Sequence, residues 1–244
     1  MIVLMILSFL LLLFIILFSR AIYCALGARK LSPKPPPASQ SCQDKYSNRL
    51  SQMIKCATIS SKDNYDDTEF SKLRTTVETL FPNLHRQSDR QIFGNDCWVY
   101  RIKGQDSSRR VMLMSHHDVA PVEGDWKYPP FSGTISDGRI WGRGTVDTKT
   151  SLFSELQAID ELLEEGWQPP IDVFLGSSHN EEVAGDGIPL VVKYFESRGE
   201  YFDLVLDEGA VISSPMPGVS CKCAMLAIHE KGTLINIYIQ KLCL

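Results

Sequence analysis

Apolar positions along this chain repeat with a helical period in some stretches and form short continuous runs in others. From Lys45 to Ala57 the residues Tyr46, Leu50, Met53 and Ile54 fall at helical spacing, and from Phe70 to Leu80 so do Phe70, Leu73, Val77 and Leu80. A third helical stretch carries Leu152, Leu156, Ile159, Leu162 and Leu163 and stops at Gly166, a residue suited to a helix C-terminus. Around and between these helices lie Trp98–Ile102, Val111–Met114, Ile171–Leu175 and Leu204–Leu206, short and rich in β-branched or aromatic residues, which read as strands. Helices alternating with buried strands predict an α/β domain whose ligands gather in loops at the carboxyl ends of the strands.

The first eighteen residues follow neither pattern. Met1 to Phe18 is apolar apart from Ser8, and as a helix it spans roughly 27 Å, close to the ~30 Å hydrocarbon thickness of a bilayer. The run is longer than the apolar core of a secretory leader and no Lys or Arg precedes it, although Ala25-Leu26-Gly27-Ala28 offers small residues for cleavage. A single-pass anchor over 1–28 is the favoured expectation, with secretion following if the segment is cleaved. Arg20, Arg29, Lys30 and Lys34 follow the segment and would keep the body cytoplasmic by the positive-inside rule, but the side stays open. Residues 29–43 include Lys34-Pro35-Pro36-Pro37-Ala38-Ser39, an extended spacer between membrane and body.

Candidate chemistry lies where the predicted strands end. Val111–Met114 runs into Ser115-His116-His117-Asp118, Ile171–Leu175 leads to Asn180-Glu181-Glu182, and Leu204–Leu206 leads to Asp207-Glu208-Gly209. A glycine-rich segment from Gly142 to Lys149 adds Asp147 just before the third helix. One imidazole with several carboxylates suits a borderline divalent ion such as zinc, and His116 argues against calcium or magnesium, which prefer oxygen. Singly, each motif has a plain reading as a solvated turn or strand exit. Their order behind apolar strands is what makes them a site. His179 reads as a polar loop residue and His85 as a surface residue at a helix end. Cys221 and Cys223 have no second pair at zinc-finger spacing and read as a coincidence at a strand edge.

At these residues the chain resembles the M20 family of metallopeptidases and amidohydrolases, in the branch of carboxypeptidase-like N-acyl-amino-acid hydrolases and related dipeptidases, from about Asp44 to about Ile239. The resemblance implies a zinc-exopeptidase-like catalytic domain over 44–228, a central mixed sheet flanked by helices. It implies that His116, Asp147, Glu182 and Asp207 are metal ligands, with Asp147 bridging two zinc ions. Asp118 would hold the far nitrogen of His116, and Glu181 would act as general base on a metal-activated water. Thr150 stands where a glycine often follows the lysine, which bears on the helix start and not on the ligands. The implied substrate is a small peptide or an N-acyl amino acid. Residues 229–244 resemble the first strand of a lid and dimerisation domain that is incomplete here, so a homodimer is expected only where the lid is present. One zinc site, formed by His116, Asp147 and Asp207, keeps all its protein ligands, and the second keeps only Asp147 and Glu182. A non-catalytic homologue that binds a metal or a partner is the alternative, and the terminal strand would be prone to aggregate.

Charge adds an exclusion. Lys and Arg number 25 against 29 acids, for a net charge of −4, with no basic stripe to track phosphates, so a nucleic-acid partner is not expected. The seven cysteines are an odd number and do not fix the compartment.

Overall fold

The computed structural model describes residues 2–28, 38–62 and 65–209. The linker up to Pro37, Cys221 and Cys223, His229 and the expected terminal strand lie outside these residues. Two compact units are present, Met1–Gln43 and Asp44 onward. The first holds helix α1, Ile2–Ala28. Its Met5–Tyr23 stretch, with a mean hydropathy of 2.6, is long and apolar enough to cross a membrane. A membrane anchor and a secretory leader share this composition.

The second unit is built on a five-stranded sheet. Its strands are β1 (Asp89–Phe93), β2 (Cys97–Ile102), β3 (Asp106–His116), β6 (Ile171–Ser178) and β7 (Leu204–Leu206), in the order β1-β2-β6-β3-β7. β2 is antiparallel to β1 and β6, whereas β3 runs parallel to both β6 and β7, so the sheet is mixed, as expected. Strands β4 (Thr134–Ser136) and β5 (Arg139–Trp141) form a separate hairpin. Asp137 and Gly138 at its tip both adopt positive φ, the requirement of the tight two-residue turn that Asp-Gly favours.

Alternation along β2 explains the two layers. Trp98, Tyr100 and Ile102 face one side, where they bury against α2 (Gln40–Ile54), α3 (Asp67–Leu80) and α5 (Lys149–Glu164) through Met53, Ile54, Leu73, Val77, Leu152 and Leu156. Cys97 and Val99 face the other side and join Met112, Phe174, Val191 and Phe195 under α6 (Gly187–Ser197). Helix α3 starts where the Asp66 side chain accepts the Thr68 amide at 2.9 Å. Helix α5 stops at Gly166, whose φ of +81° lets the Gly166 and Trp167 amides turn back onto Leu163 and Leu162. The short α4 (Pro82–Gln87) is capped from another helix, because the buried Asp160 on α5 accepts the amides of Asn83 and Leu84 at 2.7 and 2.9 Å.

Three sequence expectations change. His85 is a half-buried bridge, with Nδ1 2.9 Å from Phe81 O and Nε2 3.0 Å from the Tyr100 hydroxyl. His179 is buried at the end of β6, its ring edge-on to Tyr65 and Phe70. Leu162, counted on the apolar face of α5, is exposed, since that face is carried by Leu152, Leu156, Ile159 and Leu163.

Candidate metal centre

The parallel pairing of β3 with β6 sets the site. Register runs from Val111 opposite Val173 to His116 opposite Ser178, so both strands deliver their loops at the same level. The His117 amide extends the ladder to Ser178 O at 2.8 Å. Neighbouring residues on β3 then part company. His117 goes into the core, stacked on Trp98 at 4.1 Å with Nδ1 2.8 Å from the Ser177 hydroxyl. Its burial holds the imidazole below its ordinary pKa.

His116 is 1% exposed and turns toward the acids. Its Nε2 lies 3.0 Å from Asp147 Oδ1, 3.5 Å from Glu208 Oε1 and 3.7 Å from Glu181 Oε2. Its Nδ1 lies 3.0 Å from the Asp118 carbonyl oxygen and 3.3 Å from the Asp118 carboxylate. Burial acts to lower the His116 pKa, but the carboxylates of Asp118 and Glu208 outweigh it and push the imidazole up to about 11. Asp118, fully buried, also accepts the amides of Glu181 and Glu182, each at 3.1 Å. Burial would raise its pKa, yet the His116 imidazole beside it holds it below the carboxylate range. Glu182 accepts the Ala120 amide at 3.0 Å. Glu181 and Glu182 are both raised, by burial first and then by neighbouring acids, Glu208 for the one and Asp147 for the other.

The loop carrying Asp147 needs its glycines. A Cβ on Gly142 would stand 2.4 Å from Ile54 Cγ2, and one on Gly144, at φ +85°, would stand 2.7 Å from Val119 Cγ1. The lysine closing this loop is structural. Lys149 is fully buried and donates to Cys56 O at 2.6 Å and Met53 O at 3.3 Å, satisfying carbonyls at the end of α2, and burial brings its pKa down to about 8.

His116, Asp147 and Glu208 offer donor atoms that all lie within 4.8 Å of one another. One imidazole and two carboxylates are a donor set suited to zinc, and the cluster leaves Glu208 Oε2 buried without a hydrogen-bond partner. These residues therefore fit a divalent cation. Of the residues singled out in the sequence, His116, Asp147, Asp118, Glu181 and Glu182 meet here. Asp207 does not join the cluster: it is exposed, and its Oδ1 accepts the Glu208 amide at 2.9 Å, which leaves Glu208 to face His116. Glu208 is the residue that motif reading passed over, and the adjacent acidic pair was the signal for it.

The model of peptidase family M20/M25/M40 matches residues 112–224. A probable carboxypeptidase S-like 2 of Dictyostelium discoideum is 36% identical over 197 residues, 76% of this chain and 38% of its own length. An N-fatty-acyl-amino acid synthase/hydrolase of Xenopus tropicalis is 32% identical over 188 residues, 74% of this chain and 37% of its own. The crystal structure of an M20 family metallo-carboxypeptidase from Sulfolobus solfataricus superposes with a TM-score of 0.53 at 28% identity, covering 68% of this chain and 37% of that one. The chain carries a domain of the peptidase M20 family. It spans less than half the length of each of these relatives.

Proposed function

We propose that this chain is the metal-binding part of a zinc-dependent hydrolase of amide bonds in small peptides or N-acyl amino acids. The observation that carries this reading is the convergence of donor atoms of His116, Asp147 and Glu208 within 4.8 Å of one another, at the carboxyl end of a parallel strand pair. The relatives' names supply the substrate class: one is a probable carboxypeptidase, the other an N-fatty-acyl-amino acid synthase/hydrolase.

His116, Asp147 and Glu208 would hold the first ion, and Asp147 with Glu182 would face a second. A divalent ion there supplies Lewis acidity, polarising the substrate carbonyl and acidifying a water. Glu181 is the general base in this reading. Its carboxylate lies beside His116, half-exposed, and its pKa is raised, which suits a group that takes a proton from water and gives it to the departing nitrogen. Asp118 positions both ends of the device, holding His116 through Nδ1 and the Glu181–Glu182 turn through its amides. The apolar α1 is read as a membrane anchor, tethering the hydrolase to a bilayer.

The test is hydrolysis of a panel of dipeptides and N-acyl amino acids by the protein purified with bound metal, before and after chelation. Activity that chelation abolishes and zinc restores is the expected result, with Glu181→Gln keeping metal and losing turnover. Turnover indifferent to chelation would overturn the metal reading. A chain that retains zinc and turns over nothing in the panel would overturn the hydrolase reading alone.

A further inference from the structure

Helix α5 presents Leu152, Phe153, Leu156, Ile159 and Leu163 to the core, all buried. In their midst a carboxylic acid, Glu155, stands half-buried and accepts a hydrogen bond from the Ser115 hydroxyl at 2.8 Å. Ser115 is itself 4% exposed and immediately precedes His116 on β3. On the far side of β3, Leu113 pairs with Leu206 of β7, so the turn bearing Asp207 and Glu208 leaves the sheet beside Ser115. An aliphatic side chain would fill this position on α5 without the cost of burying a polar group. The acid is instead placed among other acids: burial first, then Asp207 and Glu208, push its carboxyl up to about 7.

We propose that Glu155 is a positioning residue for the metal centre, acting through its hydrogen bond to Ser115 on the strand end that presents His116. The proposal rests on the cation reading given above. His116 is then steadied from two directions, by Asp118 at its Nδ1 and by the Ser115–Glu155 link at its main chain. Partners bonded directly to a ligand typically govern ~10 to 100-fold in metal affinity, and this link, acting through the main chain, falls at the low end of that range.

Cobalt(II), whose visible spectrum reports ligand geometry, is the probe, titrated into the full 244-residue chain in detergent. Glu155→Leu and Ser115→Ala are each expected to weaken cobalt binding ~10-fold and to alter the spectrum. The double variant should be no weaker than Glu155→Leu alone, because both changes remove one interaction. Glu155→Gln, whose amide oxygen still accepts from Ser115, should stay close to wild type. Thermal melts separate positioning from packing: the double variant should melt no lower than wild type, since it removes the buried acid together with the Ser115 hydroxyl that Glu155→Leu alone would strand. Wild-type cobalt affinity and spectra in Glu155→Leu and Ser115→Ala would overturn the proposal. So would a Glu155→Gln variant as weak as Glu155→Leu, or a fall in melting temperature that accounts for the whole effect. A wild-type chain that takes up no cobalt would overturn the cation reading itself, visible before any variant is made.

Discussion

The Asp118 carboxylate accepts the Glu181 amide at 3.1 Å while its other oxygen accepts the next amide, so one buried side chain ties the exit of β3 to the exit of β6. Asp118→Asn would turn an NH2 group toward one of those amides. The expected outcome is a loss of about 1–3 kcal/mol in stability from the unmet donor, with ~10 to 100-fold weaker metal binding. Thermal melts and metal titration on the same preparation check both.

The two acids after β7 divide unequally. Glu208→Gln should lower zinc affinity by ~10-fold or more, because it alters a donor 3.5 Å from His116 Nε2. Asp207→Asn should change affinity far less, since the Asp207 carboxylate meets the backbone of its own turn. Metal content after dialysis against a weak chelator compares the pair directly. Equal losses would restore Asp207 to the ligand set.

Acid stability should depend on Asp172. This fully buried residue of β6 accepts from the Arg101 guanidinium at 2.6 and 2.9 Å, from the Gly104 amide at 2.7 Å and from the Ser107 hydroxyl at 3.0 Å. Burial would raise its pKa, but those donors outweigh it and hold the carboxyl below its ordinary value. A folded-state pKa below the unfolded one contributes stability in full above about pH 4, and the contribution is lost as pH falls through the folded value. Wild type should therefore outlast Asp172→Asn by a constant margin from neutral pH to about pH 5, with the margin shrinking below about pH 4. Melting temperatures across that range give the curve.

Lys149→Met keeps most of the buried volume and removes the donor to Cys56 O and Met53 O. A loss of about 1–3 kcal/mol is expected from the stranded Cys56 carbonyl, since Met53 O still accepts the Cys56 amide at 3.2 Å. Urea unfolding of the variant, followed by the fluorescence of the tryptophans, measures it. A neutral substitution would mean that water takes over the Cys56 carbonyl.

Much of this architecture was legible in the residues. The spacing of Leu152, Leu156, Ile159 and Leu163 marked α5, and Gly166 marked its end, because helical burial and a left-handed cap are local properties. Helix α6 went unread although Ile188, Val191, Val192 and Phe195 carry the same spacing. The β4–β5 hairpin was also passed over despite the Asp137-Gly138 signal at its tip. Which of Asp207 and Glu208 turns toward His116 was not legible, because it depends on how the chain turns after β7. The structural roles of His85 and Lys149 depend on contacts with Tyr100 and with the end of α2, both distant along the chain.

His116 and His117 are adjacent and chemically identical, yet one faces a cluster of acids and the other lies flat against Trp98. Successive strand residues point to opposite faces, so parity along β3 decides which imidazole is a donor and which is packing. Inserting a single residue between Met112 and Ser115 would move His116 into the aromatic stack and leave Ser115 where the imidazole now meets the carboxylates. The composition of the segment would hardly change. What would be lost is the odd-even count that gives two copies of one side chain separate occupations, so neither histidine can serve as a spare for the other.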